Sequence, residues 1–502
     1  MKLHFLLEFL STSFLLHLCS GFQNKRLPAA RQRRGRLFAA DTDSTLDGLR
    51  VAVVGGGPSG LLVAHRLLHA GASQVSLYES RPRPKSGELE NRAYALGVGI
   101  RGRTAIKSVD TELWEAVKAA GCLSERFQLH AGPFVIKLRS EKDGENVPNY
   151  EPSLLTYQRE MCRVLADELE KRWSSTGKLQ MKFDCKVEKL DLEARRLVTS
   201  ESTVPEAFDL VLGCDGVKSI VRAAIKETWA NFEGTSEVLP GQFKVARIKM
   251  PPALDPSAVA LMIPKSGSLT AFVEPTAEGQ ACVLFAGNNS SDTIFASTNA
   301  TEVALEIEER FPKLKDSGLD EAAAQLIDAT VPSTASVVKC NIYHYSDVAA
   351  LIGDAAHATG GVSGQGVNSA LVDAAAFAEC LMANYDASSK MPSLRKALLE
   401  YSKKQVPEGK ALYDLSFQPK PKSAVKRLAA SLGTILDFLF QGRFGLGRQP
   451  LQTKLTTSLD SFADIRRELN GRFEDDFPSV SAWEAEITAL DAKAPNLAKS
   501  TP

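Results

Sequence analysis

An α/β fold is predicted for this 502-residue chain, with a parallel sheet interrupted by an antiparallel sheet and followed by a helical C-terminal region. Three observations predict it. Short, nearly continuous β-branched runs alternate with helical stretches from Leu49 onward, as in sheets covered on both faces. Between about Gly241 and Tyr345 the pattern changes to strands joined by Gly, Pro and Asn turns. The last hundred residues are helical in spacing and highly charged.

Taken in order, the chain opens with an address. Residues 5–18 form a short apolar stretch behind Lys2, and Cys19-Ser20-Gly21 supplies the small residues of a cleavage site, so residues 1–20 read as a signal peptide. Residues 21–45 are rich in arginine, with no acid before Asp41, as transit peptides are. In tandem the two segments resemble the bipartite presequences that carry proteins through the secretory route into complex plastids. A signal peptide with a basic pro-segment and a mitochondrial presequence are the alternatives.

Leu49 to Val54 then reads as a buried strand, Leu61 to His69 as an apolar helix and Val75 to Glu79 as the next strand, which together make one βαβ unit. Residues 49–235 and 346–390 are assigned to one discontinuous parallel-sheet domain, and 236–345 to an inserted antiparallel sheet that would act as a roof. Within the insert, Phe243–Ile248, Leu269–Val273 and Ala281–Phe285 are the strands. Val348–Ile352 returns to the parallel sheet, Val367 to Tyr385 is a long Ala-rich helix, and 391–502 form the helical C-terminal region. There the amphipathic segment Leu428 to Phe440 fits a packing face or a peripheral membrane contact.

Charge and cysteine content exclude several classes. The chain carries 60 Lys+Arg and 60 Asp+Glu, but seven of the basic residues and one acid lie in the first 40 positions, leaving a body of net −6. Such a body lacks the basic face that nucleic-acid binding needs. The eight cysteines show no CxxC and no His pair at ligand spacing, so no metal site is expected and the mature protein is read as belonging to a reducing compartment.

Three motifs carry the chemistry. In Gly55-Gly56-Gly57-Pro58-Ser59-Gly60, between strand and helix, Gly55 allows the tight turn and Gly57 lets the backbone approach a pyrophosphate. Gly60 lets helix and strand pack closely, and the helix N-terminus offers N–H groups to the anion. Glu79, ending the second strand, would accept from ribose hydroxyls. This is a dinucleotide site that does not by itself separate NAD from FAD. The second motif is the strand Leu210–Gly213 running through Asp215-Gly216 to Ser219 and Arg222, and the third is Gly353-Asp354 followed by Gly364-Gln365-Gly366-Val367-Asn368.

All three, in this order over residues 51–374, resemble the aromatic-hydroxylase group of single-component FAD monooxygenases. Glu90-Asn91-Arg92, Arg101-Gly102-Arg103, Tyr157-Gln158-Arg159-Glu160 and Leu398-Leu399-Glu400-Tyr401-Ser402 are similar to its kynurenine 3-monooxygenase branch, over about residues 49–470. The resemblance implies FAD as cofactor, NAD(P)H as co-substrate, and hydroxylation of a small aromatic substrate with O2 through a flavin C4a-hydroperoxide. By the same likeness Arg92, Arg159, Asp215, Gly353 and Asp354 would contact FAD and Gly364 to Asn368 would face its isoalloxazine, while Arg139 (or Lys137) and Tyr150 would bind a substrate carboxylate. No residue is assigned a catalytic proton transfer, and His357 is as well explained by a structural hydrogen bond. One departure is plain: Thr359-Gly360-Gly361-Val362-Ser363 stands where the family usually has a proline. A reductase or epoxidase acting on a pigment or isoprenoid, and an inactive FAD-binding partner protein, are the alternative functions.

Overall fold

The computed structural model describes residue 46 and residues 48–85, 94–139, 151–386, 391–417, 451–470 and 473–497. Arg92, Tyr150, the presequence and the Leu428–Phe440 segment lie outside them.

The parallel sheet has the strand order His344–Tyr345, Ala349–Leu351, Leu210–Gly213, Arg50–Val54, Gln74–Tyr78, Leu179–Lys182. Only His344–Tyr345 runs antiparallel. Val51 stands opposite both Leu210 and Val75, so the central strand is walled in by apolar neighbours, and Val51, Ala52 and Val53 are buried. That double burial is why its sequence is almost unbroken Val and Ala rather than alternating. Pro58–His69 and Gly366–Ala383 pack against each other over the sheet. Gly366–Ala383 is also, among the described residues, the helix long and apolar enough to cross a membrane, but 67% of that window is buried in the core.

The roof is a six-stranded sheet in the order Gln242–Lys249, Gln280–Gly287, Thr270–Pro275, Ala258–Ile263, Arg126–Ala131, Phe134–Arg139. This differs from the expected 236–345 insert, because the last two strands come from an earlier part of the chain and Ala258–Ile263 pairs with Arg126–Ala131 in parallel. One face of the roof, through Ala246, Ile248, Ala271, Val273, Val283 and Phe285, is sealed by the helices Ala300–Arg310 and Leu319–Asp328. The other face meets the strands Ala95–Val98 and Ser153–Tyr157 of the cofactor half through Ala95 and Tyr157.

The C-terminal helices Leu394–Phe417, Phe462–Glu468 and Val480–Asp491 share the main core through Leu398, Leu412, Phe462, Ile465, Trp483 and Ile487. Polar contacts reinforce the docking. Glu408 accepts from the amides of Phe462 and Ala463, and buried Arg101 donates to the carbonyls of Leu455 and Asp460 while lying over the Phe462 ring.

Candidate active site

The first wall is the turn between Arg50–Val54 and Pro58–His69. Gly55 has φ +106°, and a Cβ there would stand 2.4 Å from the Cys214 carbonyl oxygen. At Gly60 a Cβ would lie 2.0 Å from the Gly55 oxygen. Internal packing therefore dictates both glycines. Gly57 is different: its φ is an ordinary −75°, and nothing lies within 4 Å of where a Cβ would point. The protein has no internal need for a glycine there, and the space serves whatever approaches the turn. Pro58 occupies the first turn of the helix, Ser59 is buried, and no side chain caps the N-terminus nor is there an acid in its first turn. Amide N–H groups and the positive end of the helix dipole are thus left for an anion.

Glu79 lies beside this turn. Its Oε2 accepts from the Gly56 amide at 2.7 Å, and its Oε1 from the amide and Nε of Arg81 at 2.9 and 3.0 Å. Burial opposes ionisation, but the Arg81 contacts and the two amides outweigh it and hold the carboxyl below its usual range. Ser80 Oγ adds a longer contact to Oε1 at 3.4 Å, while Oε2 accepts from Gly56 alone and keeps a second lone pair for a hydroxyl donor. Arg81 is a residue that motif reading missed.

Residues distant in sequence meet here. The Cys162 thiol is pushed up to about 12, chiefly by burial, with Arg81 and Arg159 pulling it down and Glu79 pushing it up. Arg159, in the first turn of Gln158–Trp173, thus acts on the same buried thiol as Arg81 and Glu79. The Tyr94 hydroxyl, likewise raised to about 12 by burial, feels Asp354, Cys162 and Arg81. Asp354 itself reaches solvent and is yet crowded by protein, as a group on the wall of a deep cleft is, and that crowding raises its pKa.

Asp215 ends the Leu210–Gly213 strand. Its Oδ2 accepts from the Ile220 amide at 2.7 Å, whereas its Oδ1 is buried without a partner. Arg222 at the end of the same motif donates to the carbonyls of Ala355 and Val217, which ties the second motif to the third. Gly353, at φ +64°, donates its amide to Asp373 Oδ2 at 2.9 Å, and His357 Nε2 meets the same oxygen at 2.6 Å. His357 is buried and stacks on Tyr343, so its role is structural.

The loop from Thr359 to Gln365 reaches the roof through Val337, which bridges to Thr359, and through Ser333, which bridges to Phe243. Gly361 has φ +77°, where proline, fixed near about −65°, cannot stand. The departure from the family pattern is thus a different loop path rather than a simple loss of one contact. Gly364 and Gly366 have open space where a Cβ would be, and the Thr359 hydroxyl is buried without a partner. Gln365 is the buried N-cap residue and half-buried Val367 follows in the first turn, but no side chain caps this helix and no acid stands in its first turn.

Two of the expected site residues have their side chains engaged within the protein. Asn368 was expected to face a flavin ring, but its amide donates to Gly97 O at 2.9 Å and accepts from Gly99 N at 2.8 Å, stitching the helix to the Ala95–Val98 strand. Arg139 was expected to hold a substrate carboxylate. It lies on the edge strand of the roof and donates to the carbonyls of Glu125 and Ser124 and to Ser153 Oγ, because a guanidinium beside unpaired strand-end carbonyls satisfies them first.

The roof's inner face holds polar residues that the motifs did not flag. Arg247, Cys282 and Glu274 stand opposite one another on three adjacent strands. The Arg247 guanidinium lies 5.2 Å from the Tyr157 ring centroid, and its Nε is buried without an acceptor. An inward-facing charge in a strand was the available signal, but the sequence does not say which face is inward.

A dinucleotide fits what these residues leave open: uncapped helix ends at Pro58 and Gly366, unfilled space at Gly57, Gly364 and Gly366, and the unpartnered Asp215 Oδ1. Comparison with known proteins agrees. The model of a family described as FAD binding domain matches residues 48–416. A kynurenine 3-monooxygenase of Salinispora tropica is 28% identical over 377 residues, covering 73% of this chain and 78% of that one. The kynurenine 3-monooxygenase of Sus scrofa is 26% identical over 73% of this chain and 74% of its own length. In fold, 2-methyl-3-hydroxypyridine-5-carboxylic acid oxygenase matches with a TM-score of 0.60 at 16% identity, over 86% of this chain and 99% of the other.

Proposed function

This chain belongs to the FAD binding domain family and is an FAD-dependent aromatic monooxygenase, and from that premise we propose that it hydroxylates an aromatic substrate of the kynurenine type. The observation that carries the reading is the pairing of two uncapped helix N-termini with glycines that have no packing reason to be glycine. Bound FAD, reduced by NAD(P)H, supplies the activation of O2 and the transfer of one oxygen atom to the ring.

The chain's own residues do the rest. The N–H groups at Ser59 and Gly60 hold the pyrophosphate, and Glu79, kept ionised by Arg81, accepts from the adenosine ribose. Asp215 and Asp354 take the remaining hydroxyl or pyrophosphate contacts, with Arg159 adding positive charge beside Glu79. The first turn of Gly366–Ala383 faces the ring system and stabilises negative charge on it by ~0.3–2 kcal/mol. The roof excludes water, which keeps activated oxygen from being lost before it reaches the substrate. Purified protein should be yellow and should oxidise NAD(P)H faster when kynurenine is added. Protein that takes up no FAD, or whose oxidation rate no aromatic compound stimulates, overturns the reading.

We also propose a plastid destination, supported by the apolar segment followed by the acid-free Arg-rich run before Asp41. Residues 1–45 fused to a fluorescent protein should accumulate in plastids. Fluorescence in the medium or in mitochondria contradicts this.

A further inference from the structure

The face of the roof turned toward the cofactor half carries an apolar row beside a charged one. Val245, Leu284, Phe272 and Leu261 follow one another across the strands, and Phe272 packs on Phe127 with ring centroids 5.6 Å apart. The neighbouring row is Arg247, Cys282 and Glu274, two inter-strand steps of ~4.8 Å from end to end at the backbone. Glu274 has no hydrogen bond or ion pair among the described residues, although it is half-buried and closely surrounded by protein. Burial alone pushes it up to about 8. A carboxyl left in that position without a partner is costly to the fold, and a bound cation removes the cost. Arg247 presents the complementary case, a cation whose neighbours are the Tyr157 ring and Cys282 rather than a carboxylate.

We propose that Arg247 and Glu274 are the specificity-determining pair of the substrate site, Arg247 holding the carboxylate and Glu274 the ammonium of a zwitterionic aromatic amino acid whose ring lies along the apolar row. The proposal rests on the monooxygenase reading above and deepens it. It excludes neutral phenols and isoprenoids as preferred substrates, since either would leave the Arg247 guanidinium and the Glu274 carboxyl without partners. It also replaces Arg139, whose guanidinium is already bound to backbone carbonyls.

The test compares kcat/KM for kynurenine, its des-amino acid and its decarboxylated amine. The wild-type enzyme should favour the amino acid over each by tenfold or more. Glu274→Gln should collapse the preference over the des-amino acid by at least tenfold, mainly through KM, and Arg247→Met should collapse the preference over the amine. Glu274→Asp should restore part of the first. The same preferences should appear in ligand-induced changes of the bound-flavin absorbance, which need no turnover. Unaltered preferences in both single variants, with flavin content at the wild-type level, overturn the proposal. If no aromatic compound stimulates NAD(P)H oxidation the monooxygenase reading fails, and the absorbance titrations still decide whether these residues select the two charged groups.

Discussion

The helices of this protein end in two different ways. At the periphery, Thr111–Ala119, Ile220–Thr228, Ala300–Arg310, Phe462–Glu468 and Val480–Asp491 are capped by the side chains of Asp110, Ser219, Asn299, Ser461 and Ser479. At the crevice, Pro58–His69 and Gly366–Ala383 have neither a side-chain cap nor an acid in the first turn. The capped helices satisfy their own N–H groups, whereas Pro58–His69 and Gly366–Ala383 leave theirs for a ligand; Ile100–Lys107, packed on Gly366–Ala383, is likewise uncapped without an acid in its first turn, and the uncapped Gln158–Trp173 and Leu319–Asp328 carry acids there instead. The same division runs through the glycines of the first motif, where Gly55 and Gly60 serve packing and Gly57 serves the open space.

The sharpest way to break this comparison is within that motif. Gly60→Val should prevent folding or destabilise it by about 4 kcal/mol or more, since the new Cβ meets a backbone oxygen. Gly57→Leu should leave the thermal unfolding of the apoprotein near wild type but weaken FAD binding at least ~100-fold, about 2.7 kcal/mol. Equal effects of the two in thermal unfolding and flavin titration would erase the distinction.

The next largest effect is expected at Asp373, which is 1% exposed and serves both Gly353 and His357. Asp373→Ala should cost about 3–5 kcal/mol in denaturant unfolding, because it leaves a buried imidazole and an amide without their acceptor. Caps come next. Asn299→Ala should cost about 1 kcal/mol and leave flavin binding unchanged. Val367→Asp, which adds an acid to the first turn of an uncapped helix, should do the reverse: stabilise the apoprotein by ~0.3–1 kcal/mol and lower the flavin midpoint potential.

The smallest effect is the pH dependence of Glu79. Its folded-state pKa lies below the ordinary carboxylate value of about 4.3, so its contribution is present above that pH and lost as pH falls through the folded value. Flavin release measured between neutral pH and pH ~3 should show an acid limb that Glu79→Gln flattens. An unchanged limb in the variant would assign it to another group.

The parts of the fold legible in the sequence are those dictated locally. Val51–Val54 is continuously apolar because it is buried on both sides, and the glycine turn behind it follows from a close approach that only glycine permits. The strands Arg126–Ala131 and Phe134–Arg139 were not placed in the roof, because their partner Ala258–Ile263 lies far along the chain and edge pairing leaves little local signal. The three-stranded sheet of Val187–Asp191, Arg196–Thr199 and Ser202–Ala207 is a local meander, and it escaped notice because its short strands are mostly polar and give little apolar alternation. In the site, Glu79, Arg159 and Asp354 were legible as motif residues. The internal partners of Asn368 and Arg139 were not legible, because they are backbone groups brought close only by tertiary folding. Arg247 and Glu274 were invisible because alternation in a strand fixes which residues share a face but not which face meets the site.

The central claim is that the open helix ends and glycines of the crevice hold a flavin that hydroxylates an aromatic ring. Product formed under 18O2 by the FAD-loaded enzyme, with NAD(P)H and kynurenine, tests it by mass spectrometry. The account predicts one labelled oxygen on the ring for each NAD(P)H consumed. NAD(P)H consumption that yields only hydrogen peroxide and unlabelled substrate would contradict it.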